Sequence, residues 1–128
     1  MTVGEFGCSS PRAAHALRRA FTEGELALDI PGFSSEGQLM SLLFSCKESA
    51  FKSCAQALRS YYRRNDEPLF FETRDFEVLQ DGTARGIAKV GDAQSGLEAL
   101  GIAKIQLNWA IADGIIATCA AAIRQRGR

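Results

Sequence analysis

The sequence contains one histidine, one tryptophan and three prolines, and its net charge at pH 7 is zero. With His15 as the single imidazole, a zinc centre would need a cysteine-rich ligand set. Cys8, Cys46, Cys54 and Cys119 show no Cys-x-x-Cys spacing that would provide one. Their scatter through well-patterned segments also argues against a disulfide-stapled scaffold, so free, mostly buried thiols in a reducing cytoplasm are expected. No apolar run reaches the ~18–20 residues of a membrane helix. Met1 to Gly7 has neither the basic start nor the apolar stretch of a signal peptide, so a cytoplasmic location is expected. Fifteen Lys and Arg balance fifteen Asp and Glu, leaving no overall field to argue for nucleic acid or an anionic membrane as partner.

The 128 residues are 46% hydrophobic and 23% charged, the proportions of one soluble globular domain. The charge is unevenly spread. Residues 38–64 carry Lys47, Lys52, Arg59, Arg63 and Arg64 against Glu48 alone, while the flanking segments are net acidic. Such an island is either a solvated helix face or an attractor for a small polyanion such as phosphate.

Turn and capping chemistry divides the chain. Ser9-Ser10-Pro11 predicts a helix start and Ala13 to Phe21 a short helix. Pro31-Gly32 marks a break, and Ser34-Ser35-Glu36 opens a long helix from about Gly37 to about Arg63. Turn residues return at Asn65 to Pro68. Leu69 to Thr73 and Asp75 to Leu79 mix aromatic and branched residues in the manner of a strand. Gln80 to Thr83, with Asp81-Gly82 at its centre, predicts a hairpin leading into a strand from Ala84 to Val90. Gly91 to Gly101 reads as a polar connection with room for a helical turn. Ile105, Leu107 and Trp109 alternate with Lys104, Gln106 and Asn108 along a strand over Ile102 to Ala110. Asp113-Gly114 turns the chain into a last strand, Ile115 to Ile123, and the arginine-rich end reads as a frayed tail. The sum is an α+β domain, a long helix packed on an antiparallel sheet.

On the long helix, Met40, Leu43, Phe44, Ala50, Phe51, Cys54, Ala57, Leu58 and Tyr61 share one broad face, with Ser41, Ser45, Glu48, Lys52, Gln56 and Arg59 opposite. Lys47 falls in the middle of the apolar face. It must snorkel, find an acceptor or lose its charge. Cys46 and Cys54 read as core packing. Glu48 and Lys52, four residues apart in the favourable order, make at least a surface pair of ~0.3–0.5 kcal/mol.

Phe44-Ser45-Cys46-Lys47-Glu48-Ser49-Ala50-Phe51-Lys52 resembles the signature helix of the 4′-phosphopantetheinyl transferases, aromatic-Ser-x-Lys-Glu-Ser/Ala-x-x-Lys. Asp75 to Val78 and Trp109 to Ala121 resemble that superfamily as well. The likeness covers about residues 23–123 and is nearest to the second half of its long, surfactin- and enterobactin-type members. The resemblance implies a holo-[acyl-carrier-protein] synthase activity, the Mg2+-dependent transfer of the phosphopantetheine arm of coenzyme A to a serine of an acyl or peptidyl carrier protein. Such a protein would serve fatty acid, polyketide or nonribosomal peptide biosynthesis. It implies Glu48 as metal ligand and part of the base arrangement, Lys52 as catalytic phosphate contact, and Lys47 as a further contact to coenzyme A phosphate.

The family's earlier Gly-Ile/Val-Asp-x-Glu strand is missing upstream of Lys47, where Leu28-Asp29-Ile30-Pro31 carries a proline. The Ser-His pair of the long class is missing too, since His15 follows Ala14. A single Glu48 is a poor magnesium site. The expectation is therefore one half of a transferase, completed by a complementary half or by oligomerisation. The competing reading is a non-catalytic interaction or dimerisation module with a degenerate transferase fold. An acyl-thioester enzyme is a weaker third reading, because its catalytic carboxylate should face the sheet and Glu48 projects the other way.

Overall fold

A computed structural model describes residues 20–33, 35–65, 72–91 and 93–125. Two short helices and one long one, α1 (Glu23–Leu26), α2 (Glu36–Arg64) and α3 (Gln94–Ala99), combine with strands β1 (Phe76–Gln80), β2 (Arg85–Val90), β3 (Ile102–Ala112) and β4 (Ile115–Arg124). The strands form one antiparallel sheet in the order β1-β2-β3-β4, so every neighbour in space is a neighbour in sequence. The mixed α+β class and the helix-on-antiparallel-sheet arrangement expected from the sequence are present. The expected cap at Ser9 to Pro11, the helix from Ala13, the turn at Asp66 to Pro68 and the strand over Leu69 to Phe71 lie outside the described residues. Ala20 and Phe21 are described, and they form a turn and a bend rather than helix.

Ser35 starts α2: its hydroxyl accepts from the Gln38 amide at 3.2 Å, and the Gln38 side chain accepts from the Ser35 amide at 3.4 Å. Twenty-nine residues at 1.5 Å rise give a rod of about 44 Å. The inward residues of the sheet (Phe76, Val78, Ala88, Val90, Ile105, Leu107, Trp109 and Ile116) form a single core with Leu42, Leu43, Cys46, Ala50, Cys54 and Leu58 of α2. The expected alternation on β3 holds, with Ile105 and Leu107 fully buried, Trp109 at 6% exposure, and Lys104 and Asn108 exposed.

The helical face is broader than the sequence projection and rotated in places. Ser41, placed on the polar side, is fully buried, Ala57 is exposed, and Tyr62 rather than Tyr61 closes the core. The cause is that α2 is packed by more than the sheet: it also touches α1, α3 and the turn before β1.

Two turns differ in how closely the sequence anticipated them. Asp113 (φ 52°) and Gly114 (φ 73°) are both left-handed, the geometry of a two-residue hairpin loop, which joins β3 to β4 where expected. The first hairpin is wider than its Asp81-Gly82 pair suggested. The Asp81 amide bonds the Arg85 carbonyl at 2.8 Å, and β2 begins at Arg85 rather than Ala84. Ahead of it, Thr73–Asp75 is a 3-10 turn and not strand. It is closed by the Glu72 amide on Asp75 Oδ2 at 2.7 Å and the Asp75 amide on the Glu72 carbonyl at 3.0 Å.

Candidate functional site

The side chain that broke the helical pattern is the best-satisfied charge among the described residues. Lys47 is 1% exposed, and its ammonium lies 2.9 Å from Glu25 Oε2, itself buried. The ammonium also donates to the Phe76 carbonyl and, at 3.4 Å, to the Arg74 carbonyl, and it sits 5.6 Å from the centre of the Phe21 ring. Three donors meet three acceptors, which is what a buried ammonium needs. Of the outcomes open to Lys47, finding an acceptor is the one realised, and the acceptor is internal. Its charge is directed at Glu25.

Glu25 is held with equal care. Its Oε1 accepts from the Thr22 amide at 2.8 Å, and its Oε2 accepts from the Val78 amide at 2.7 Å. Thr22 Oγ1 in turn accepts from the Glu25 amide at 3.0 Å, so the carboxylate is the reciprocal half of a capping box. One residue therefore caps α1, satisfies an amide on the outer edge of β1 and neutralises a lysine of α2. The signal for it was legible as Thr22-x-x-Glu25, a capping-box pattern that the sequence reading passed over.

Glu48 and Lys52 have the opposite situation. Glu48 is half-buried and Lys52 is exposed. Among the described residues neither forms a hydrogen bond or ion pair, and the expected pair between them is not formed. Among the described residues, a carboxylate and an ammonium one turn apart on the accessible side of α2 are thus uncommitted. Beside them a small hydroxyl cluster ties α2 to β4: Ser45 Oγ and Ser49 Oγ each lie 2.7 Å from Thr118 Oγ1, which also bonds the Ser45 carbonyl at 3.2 Å. Sequence reasoning placed Ser45 and Ser49 within a motif but missed Thr118, since nothing in β4 marks it apart from its neighbours.

The cysteines on α2 are packing groups, as expected. Burial pushes the Cys46 thiol up to about 12, with the nearby Glu25 carboxylate adding to the rise and Lys47 opposing it. Burial likewise raises Cys54 to about 11, against a smaller lowering by Ser53. Neither is a nucleophile near neutral pH. Cys119 departs from the expectation of buried thiols and is exposed on β4; Cys8 lies outside the described residues.

The donor set does not by itself fit a magnesium ion. Glu48 is the one carboxylate of α2 beyond Glu36, and among the described residues no three His, Cys, Asp or Glu side chains gather as a metal site. An ion that takes several oxygen ligands would need donors from outside this helix. No helix among the described residues is long and apolar enough to cross a membrane. Comparison with protein-family models, curated proteins and solved structures gives no match to the chain.

Proposed function

We propose that the chain is the Glu- and Lys-bearing half of a 4′-phosphopantetheinyl transferase, acting on the serine of an acyl or peptidyl carrier protein with coenzyme A as donor. The observation that carries this reading is the division of labour within Lys47-Glu48-Ser49-Ala50-Phe51-Lys52. The first lysine is consumed internally by Glu25, while Glu48 and Lys52 stand accessible and unpaired among the described residues.

In the reaction the serine Oγ forms a bond to the phosphorus of the phosphopantetheine arm, and the bond from that phosphorus to the bridging oxygen breaks, releasing 3′,5′-ADP. Such transfers depend on alignment and charge neutralisation more than on covalent help. Lys52 provides a cation for the transferring phosphoryl group and the leaving phosphate. Glu48 takes the proton of the serine hydroxyl as it attacks. Lys47 positions both by fixing the turn of α2 that carries them against β1. Mg2+ would neutralise the pyrophosphate when held; since Glu48 alone does not hold it, the remaining carboxylates come from a complementary half or a second copy.

The test is intact-mass analysis of an apo carrier protein incubated with this chain, coenzyme A and Mg2+, with and without a polypeptide bearing the Gly-x-Asp-x-Glu strand. A phosphopantetheine-sized gain that requires the complement and vanishes with Glu48→Gln is the expected result. No gain in either mixture would overturn the reading. One observation favours the interaction-module alternative: Ile115 at 55% and Ile111 at 37% exposure leave the β3–β4 turn apolar. On that reading Glu48→Gln changes nothing.

A further inference from the structure

The sheet ends on one side at β1, where the Glu25 carboxylate takes the outward amide of Val78. On the other side it ends at β4, and that edge is open. The Trp109 amide donates to the Ala84 carbonyl at 3.0 Å, toward β2, so Trp109 and Thr118 face each other as a non-hydrogen-bonded pair. The outward backbone groups of β4 therefore belong to Ile116, Thr118, Ala120 and Ala122. Among the described residues these groups have no hydrogen-bond partner.

The side chains do nothing to close this edge. From Ile115 to Ile123 the strand carries no charge and no proline, the usual blocks to edge pairing. Ser45 and Ser49 of α2 reach it with short side chains that stop at Thr118 Oγ1. Charge stands at the two ends instead. Asp113 precedes the strand and Arg124 closes it; both are exposed, and among the described residues neither is ion-paired. A strand with an acid at one end and a base at the other complements a second copy of itself run antiparallel. A strand from another protein would have to reproduce that spacing of charge.

We infer that β4 is a self-association edge, along which the strands of two copies pair antiparallel about a two-fold axis at Cys119 and join two sheets into one. In this register Thr118 pairs with Ala120 of the second copy and Ile116 with Ala122, each through outward backbone groups that would otherwise face water. On the solvent face Ile115, 55% exposed, meets Ile123 of the second copy, and Asp113 comes diagonally beside Arg124. Shifting the axis by one residue in either direction loses the match of Ile115 with Ile123. Cys119 opposes its own counterpart in a non-hydrogen-bonded pair, where Cα atoms lie about 4.5 Å apart, within the range of a disulfide. The inference stands apart from the transferase reading, since it invokes neither Glu48 nor Lys52.

The test uses the full chain with Cys8→Ser, which leaves Cys119 as the exposed thiol among the described residues, with Cys46 and Cys54 buried. Sedimentation equilibrium is expected to show a dimer. Air oxidation with copper phenanthroline is expected to link Cys119 to Cys119, as peptide mapping would show. Ala117→Lys with Ala121→Lys sets lysines opposite each other across the joined strands and should raise the dimer dissociation constant at least about tenfold. Both positions are exposed, and far-UV circular dichroism checks that the variant is folded. Arg124→Glu should weaken the dimer as well, and less so at high salt. A monomer at every concentration up to about 100 μM overturns the inference. So does a dimer that keeps its affinity with both lysines, or one whose Cys119 pair does not cross-link.

Discussion

At the scale of single residues, the molecule is organised around one ion pair. Lys47 and Glu25 are both almost inaccessible, and each has its remaining hydrogen-bond capacity met by backbone groups from α1, β1 and the turn before it. Removing one partner of such a pair leaves a buried charge without its counterpart and costs about 3–5 kcal/mol. Glu25→Gln should therefore lower the unfolding free energy by that amount, read from urea denaturation. Lys47→Met combined with Glu25→Gln should cost less than the sum of the two single changes, because no lone charge remains. Strict additivity would show that the pair is not coupled as the distances say. Half of this arrangement was legible in the sequence: Lys47 was marked as anomalous by its place on the wheel. Its partner was not, because a helical projection contains no information on what another element brings to the same spot. The thiols make a second residue-scale case. Iodoacetamide at neutral pH should modify Cys119 and spare Cys46 and Cys54 until the chain is unfolded, as peptide mapping would show.

The same division between local and non-local information holds at the scale of elements. The boundaries of α2 and the strand alternation of β3 follow from local chemistry, a capping serine and a period of two, and the sequence reading placed them within a residue or two. What it misjudged on α2 was which residues are covered: Ser41 is fully buried and Tyr62 rather than Tyr61 closes the core, on a helix that also packs against elements other than the sheet. The packing of α3 against α2 shows how tight such contacts are. A Cβ on Gly96 would lie 2.7 Å from Tyr62 Oη and 2.9 Å from Leu58 Cδ2, where real side chains do not come. Gly96→Ala gains helix propensity of up to about 1 kcal/mol but must displace α3 or Tyr62, an overpacking cost of about 1–3 kcal/mol. The expected net effect is a fall in Tm of a few degrees by calorimetry. In a Tyr62→Phe background the nearest atom is gone, so the same Gly96→Ala change should cost less there. An equal cost in both backgrounds would place the conflict at Leu58 Cδ2 or at the ring edge of residue 62, each 2.9 Å from the added carbon.

At the scale of the whole molecule, the candidate site is legible in the sequence only as the pair Glu48 and Lys52. Glu48 and Lys52 were identifiable as a spaced pair on a helix, yet the oxygen donors a metal would need are not gathered around them among the described residues. Global stability, by contrast, depends on groups that every segment of the core encloses, and here the thiols set a testable limit. Cys46 and Cys54 ionise at about 12 and 11 in the folded chain, against 9.0 for an unburied thiol. Below pH 9 both are protonated in either state and cost nothing. As pH rises through 9, the unfolded chain releases these protons while the folded chain keeps them, so the folded state binds more protons and stability falls with pH. The loss continues until about pH 11 for Cys54 and about 12 for Cys46. Other groups titrate in that range, so the contrast between variants is the measurement. Unfolding free energy followed from pH 8 to 11 should decline less steeply for Cys46→Ala than for the wild type, whatever that variant's stability at pH 8. Cys119→Ala, a change at an exposed position outside the core, serves as the control variant. Parallel slopes for the wild type and Cys46→Ala would mean that the thiol is solvated in the folded chain and that the core around Glu25 and Lys47 is open to water.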